Sequence, residues 1–396
     1  MSAQADKPQI LSRRRALAAL LVAAQVPLLV SMTNPREAFA QAGAPVAAPS
    51  QPNNIVGLNI ARLHQPNYIW AAAGVANANG GSWGYLTILL TREDRDNELS
   101  GHVLQQVLDR CYETRLQPIV RVGTRYDLES GVWDRPDAQD PARWRALFEQ
   151  VRWPNRTVWI VPANEPNLGR EWGGQVDVAG YVRYLNAFMA TFAESDQFKV
   201  VNAPLNLSNP HQLPKMQDAF DFLSEMSELD GTIFERLPAW ASNAYKVDGF
   251  GDGLRFTHRG YELELEFIGR EMPVIITETG WLNRHAEDEV ARFYTQAYQD
   301  WQKDHRVIAA TPLIWDPDLD DHWMFEMDEY GNVVASNATY RALQSLPRVA
   351  GTPNGIAPIA NTPRVSAAAV KTRPLPIFLP DSSSASGAEV SPAIGP

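Results

Sequence analysis

The chain has 396 residues, 45% of them hydrophobic, with 46 acidic against 35 basic side chains and a formal net charge of −11. Such an acidic balance excludes a nucleic-acid footprint, because the surface would repel a phosphate backbone, and it leaves a neutral ligand such as a sugar open. The single cysteine, Cys111, excludes an internal disulfide, so stability has to come from the core.

Residues 1–40 read as a targeting segment. Arg13, Arg14 and Arg15 precede an apolar run from Ala16 to Val30, and Ala38-Phe39-Ala40 is a small-residue cleavage site. The run is about fifteen residues, short of the roughly twenty that a membrane span needs, so a cleavable signal and an exported chain without a stable membrane span are expected. Ser12-Arg13-Arg14 with Leu17 resembles a twin-arginine signal, although Ala16 stands where that signal usually has Phe. The first forty residues hold five basic and two acidic side chains, which leaves 30 basic against 44 acidic, a net −14.

Residues 41–53 have a linker composition, and from about Ala350 to Pro396 the chain is again rich in Pro, Ser, Ala and Gly; a disordered tail is expected over 348–396. One catalytic domain over 54–347 remains. Its roughly three hundred residues suit a single βα barrel.

Within it, apolar β-forming runs alternate with helical patterns, the signature of a parallel sheet. The predicted strands are Ile55–Ile60, Tyr85–Leu90, Pro118–Val122, Val158–Val161, Lys199–Pro204, Trp240–Lys246, Val274–Glu278 and Val307–Trp315. Helical spacing recurs at Val103, Leu104, Val107, Leu108 and Cys111, which makes Cys111 a core residue. It recurs again at Val178, Tyr181, Val182, Leu185, Phe188 and Met189 behind a cap at Asp177, and at Val290, Phe293, Tyr294, Ala297 and Trp301. Eight such units predict an α/β fold of the (β/α)8 TIM-barrel type.

Two of these strands end in a glutamate. Thr157–Trp172 reads TVWIVPANEPNLGREW, and Pro166 after Glu165 should bias that residue toward extended backbone and turn the chain. Pro273–Trp281 reads PVIITETGW, with Glu278 in the equivalent place. Alone, either glutamate could cap a helix or solvate a loop. At the ends of strands four and seven both point into one cup, and paired carboxylates across a cup are what glycosidic bond cleavage uses.

Asn164-Glu165-Pro166 at the fourth strand and Ile276-Thr277-Glu278 at the seventh resemble clan A of the retaining glycoside hydrolases, over nearly all of Asn54 to Pro347. The resemblance implies Glu165 as general acid/base, Glu278 as nucleophile and Asn164 as a donor to the sugar 2-hydroxyl. It also implies Tyr245 as the hydrogen-bond partner of the nucleophile and Trp315 as the aromatic floor under the sugar. Arg121, in an apolar run, is either the cation beside Glu278 or one member of a structural ion pair. The chain departs from the clan at Asn243, where many members have His, and has no certain equivalent of an early-strand arginine, for which Arg62 and Arg92 are further options.

Of the twelve tryptophans, Trp133, Trp172, Trp281 and Trp323 fall in strand-to-helix loops at the catalytic face, where an indole either stacks on a sugar or packs. The acidic run Asp316–His322 lacks the Gly and Glu of an EF-hand and reads as a rim loop, as does Asp248–Gly253. His64, His102 and His285 have no metal spacing, so neither metal nor cofactor is expected. The expected reading is an exported, monomeric enzyme cleaving a β-linked glycan with retention. A catalytically inert sugar-binding barrel and a transglycosylase working through the same site are the rivals.

Overall fold

In a computed structural model the described residues are 52–60, 67–96, 100–247, 253–281, 285–312, 325–327 and 333–353. The expected targeting segment, Trp315, Trp323, Arg62, His64, the acidic run Asp316–His322, nearly all of the Asp248–Gly253 loop and nearly all of the tail lie outside them. The described residues belong to one unit.

Eight strands form the scaffold: β1 Gly57–Ile60, β2 Gly84–Leu90, β3 Leu116–Val122, β4 Val158–Val161, β5 Phe198–Val200, β6 Trp240–Asn243, β7 Val274–Glu278 and β8 Val307–Ala310. All their mutual pairings are parallel, in the ladders β1-β2-β3-β4-β5 and β6-β7-β8. The first and last strands close on each other through a parallel bridge between Val56 and Ala310 and through Ala310 N–H donating to Ile55 O at 2.8 Å. Between β5 and β6 the Asn202 side chain takes the place of backbone. Its Nδ2 donates to Ala241 O at 2.8 Å and its Oδ1 accepts from Ala241 N–H at 2.7 Å. The expected (β/α)8 barrel is therefore the fold of this chain. Asn202→Ala would orphan two buried backbone groups and should cost about 3 kcal/mol, read as a fall in the urea midpoint with an unchanged m-value.

The continuous apolar strands follow from burial on both faces. Alternate residues separate into two clusters. Tyr85, Ile119, Trp159, Val161, Val201, Ala239, Ala241, Ile275 and Ala309 form the smaller, inside the barrel. Leu86, Ile88, Val120, Ile160, Val200, Trp240, Val274 and Ile276 join the larger cluster with the helices. Cys111 is part of that larger core, fully buried, and burial pushes its thiol well above the ordinary range. The helix Val178–Phe192 starts as its sequence predicts, with Asp177 Oδ1 accepting from Gly180 N–H at 2.8 Å. Among the described residues no helix is long and apolar enough to cross a membrane.

Both expected domain limits move outward. Asn53, placed in the linker, donates to Ile308 O at 2.7 Å and accepts from the Tyr85 hydroxyl at 3.0 Å, so it belongs to the barrel floor. At the other end Gly351 N–H donates to Ser82 O and Thr352 N–H to Pro52 O, both at 3.1 Å, carrying the packed chain past Pro347 into the segment expected to be tail. Composition could not place these limits, because small residues pinned by backbone bonds look like linker.

A candidate active site at the carboxyl ends of the strands

Glu165 follows β4 and Glu278 ends β7, and both stand at the carboxyl ends of the parallel strands. The backbone at Glu165 corrects the sequence reading. Its φ is +37°, in the left-handed region, and not extended as the following proline suggested. That conformation costs a non-glycine residue about 1–2 kcal/mol. It is held from both sides, by Glu165 N–H donating to Pro204 O at 3.0 Å and Glu165 O accepting from Leu168 N–H at 2.8 Å. Non-local pairing overrides the local preference and fixes where the carboxyl points.

The two carboxylates sit in different company. Glu278, 7% exposed, forms an ion pair with Arg121 Nη1 and accepts from the Tyr245 hydroxyl at 2.9 Å. Arg121 is itself buried; burial opposes its charge, and Glu278 more than offsets that. Of the two readings left open by the sequence, the arginine is the one beside Glu278. Arg92 instead bonds Asp140 at 3.0 Å. Tyr245 is held far above the usual phenol range by burial and by the carboxylates facing it.

Among the described residues Glu165, 6% exposed, accepts hydrogen bonds from neutral side chains only. Asn243 Nδ2 reaches its Oε1 at 3.0 Å and Asn206 Nδ2 reaches its Oε2 at 3.1 Å. Burial first, and the charge of Glu278 second, raise its pKa above the usual carboxyl value against these two amides. Asn243 is oriented by Thr277, whose hydroxyl donates to its Oδ1 at 2.8 Å. The position where the chain departs from the clan pattern therefore supports Glu165. Asn206 is steadied by Ser208, whose N–H and hydroxyl donate to its Oδ1 at 3.0 and 2.7 Å. Nothing in the local sequence marked Asn206, since it lies on another βα unit.

Both amides favour the ionised carboxylate, so Asn206→Ala should raise the Glu165 pKa further. If Glu165 works as an acid, the alkaline limb of kcat/KM moves to higher pH. A pH–rate profile checks it.

Asn164 lies between the two centres. Its Oδ1 accepts from Arg121 Nη1 at 3.2 Å and from Asn243 Nδ2 at 3.4 Å, which leaves its Nδ2 hydrogens to present to a ligand. Glu171, which the sequence reading passed over, is a third buried carboxyl here, 7% exposed. Burial first and Glu165 second push it up to about 8, against Arg170 and Arg121.

The aromatic candidates divide. Trp281 is half-buried just past β7, where Lys246 bridges to it in parallel fashion, and its ring stacks on His285 with centroids 3.8 Å apart. Trp133 is half-buried in a short hairpin, Tyr126–Asp127 with Val132–Trp133, after β3, its ring 5.1 Å from Tyr126. Trp172 is a correction. It is 1% exposed and packs edge-on against Tyr181 and Tyr184, at 5.7 Å from each, so its indole is wall and not a sugar platform. The structure thus brings Glu165, Glu278, Asn164, Tyr245 and Arg121 into one hydrogen-bonded cluster, while the Trp281 ring packs on His285 and Phe293. Among the described residues no group of three His, Cys, Asp or Glu side chains is placed to hold a metal ion.

No family model and no curated protein matches the chain. Solved structures do resemble it. A GH128 (subgroup II) endo-β-1,3-glucanase from Sorangium cellulosum shares 14% identity at a TM-score of 0.50, over 74% of this chain and 99% of that one. The catalytic domain of a GH26 endo-β-1,4-mannanase from Bacillus sp. JAMB-750 shares 12% identity at 0.49, over 74% and 85%. A β-mannanase from Streptomyces thermolilacinus shares 18% at 0.42, over 67% and 82%. At these identities the likeness concerns the fold, and the glucanase carries it.

Proposed function

We propose that this chain is a glycoside hydrolase that cleaves a β-linked glycan with net retention, Glu165 serving as general acid/base and Glu278 as nucleophile. The observation that carries this reading is the unequal company of two buried carboxylates in one cup. A guanidinium and a phenol lie against the Glu278 carboxyl group, while burial and a neighbouring negative charge favour the proton on Glu165. In the first step the Glu278 carboxylate attacks the anomeric carbon as Glu165 gives its proton to the departing oxygen. In the second, Glu165 takes a proton from water, which displaces Glu278 from the same carbon. Asn164 Nδ2 would hold the sugar 2-hydroxyl, and Trp281 would offer an apolar face at the mouth.

The fold neighbour named an endo-β-1,3-glucanase puts β-1,3-glucans first among candidate substrates. The test is release of reducing ends from β-1,3-glucans, β-1,4-glucans, β-mannans and xylans by the purified chain. Release from one of them supports the reading, and release from none, with the folded protein at micromolar concentration, contradicts it. We further propose export through residues 1–40, checked by whether the secreted protein begins after Ala40.

A further inference from the structure

The segment after Glu165 makes two successive tight turns. Leu168 N–H donates to Glu165 O at 2.8 Å, and Glu171 N–H donates to Leu168 O at 2.8 Å. Glu171 is thereby carried on the same loop as Glu165, six residues on, and it feels the charges of Glu165, Arg170, Arg121 and Glu278. Its Oε1 is buried and makes no hydrogen bond. The Arg170 Nε lies 3.7 Å from that oxygen, beyond hydrogen-bond reach.

A second orphan adjoins it. Gly173 N–H donates to Trp133 O at 2.9 Å, which ties the hairpin to this loop, and the Trp133 Nε1–H is also buried without a hydrogen bond. A buried acceptor and a buried donor left unbonded in adjacent walls cost free energy until a ligand satisfies them. A sugar hydroxyl, which both donates and accepts, can satisfy either. Glu264 is the instructive contrast. Its Oε1 is likewise buried without a hydrogen bond, but its other oxygen accepts from the Ser242 hydroxyl, which follows the inward-facing Ala241 on β6 and so faces the helices and not the cup.

We infer that Glu171 and Trp133 form a hydroxyl-binding subsite on the leaving-group side of the cleavage point. The inference rests on the glycan reading of the cup, and the side follows from the loop. Glu165 protonates the departing oxygen, so the sugar nearest the Glu165 loop is the departing one. With its proton held by burial, the Glu171 carboxyl offers both an O–H and an acceptor.

The test is calorimetric binding to Glu278→Gln protein, which does not turn over its ligand, using pentasaccharides of β-1,3-glucan, β-1,4-glucan and β-1,4-mannan. Adding Glu171→Ala, or Trp133→Phe, which removes only the N–H, should weaken the pentasaccharide that binds by about tenfold. The matching aryl monoglycoside, which places no sugar on the leaving side, should bind within twofold. Equal weakening of both ligands by Trp133→Phe, or none by either variant, overturns the subsite while leaving the glycan reading intact. If no pentasaccharide binds the Glu278→Gln parent, the glycan reading and the subsite fall together.

Discussion

Replacing Glu278 with Gln is expected to lower turnover of the proposed glycan substrate by about 10⁴-fold, about 5 kcal/mol of transition-state stabilisation. The amide is the same size, so binding should persist while kcat falls. The loss should be large because the groups around this carboxyl are a guanidinium and a hydroxyl donor, which suit a nucleophile. Arg121 lies against one oxygen and the Tyr245 hydroxyl donates to the other at 2.9 Å, both in a buried setting where charge interactions are strong. Melting curves belong beside the kinetics, since the guanidinium loses its counter-ion in this variant. In Glu278→Gly, azide can occupy the vacated space and attack an aryl glycoside from the nucleophile's side, giving the inverted glycosyl azide. Recovery of rate with azide ties the loss to the missing nucleophile and not to a damaged fold.

Glu165→Gln should cost 10²–10⁴-fold on an oligosaccharide, the usual range for a general acid. The effect should depend on the leaving group. A sugar alkoxide needs the proton, whereas dinitrophenolate departs without it, so the first step on an activated aryl glycoside is nearly spared. The second step still lacks its base, and the covalent intermediate accumulates. Rapid mixing should therefore reveal a burst of dinitrophenol followed by slow turnover. Equal losses on both substrates, with no burst, would mean that Glu165 acts on something other than the departing oxygen.

The scaffold was legible because it is repetitive. Val158–Val161 and Val274–Glu278 could be read directly, since a strand buried on both faces must be apolar throughout. The two glutamates were legible because a charge at the end of such a run has few structural excuses. Arg121 yielded to the same reasoning. What escaped depends on non-local geometry. Asn206 reaches Glu165 from another βα unit, and asparagine in a loop carries no local signal; Asn243 stood out as a departure from the clan, but not its bond to Glu165. Trp172 looked like a rim aromatic because it follows the acid closely, yet the turns after Glu165 fold it back onto Tyr181 and Tyr184. Those same turns carry Glu171 along beside the acid, and only its burial distinguishes it from any loop carboxylate.

The most direct test of the two-glutamate account is the anomeric configuration of the first product, followed by proton NMR within seconds of mixing enzyme and a β-linked oligosaccharide, before mutarotation. Two displacements at one carbon predict that the β-anomer appears first and the α-anomer grows only at the spontaneous rate. An α-anomer formed first would mean that water attacks directly, and Glu278 would then be a base and not a nucleophile.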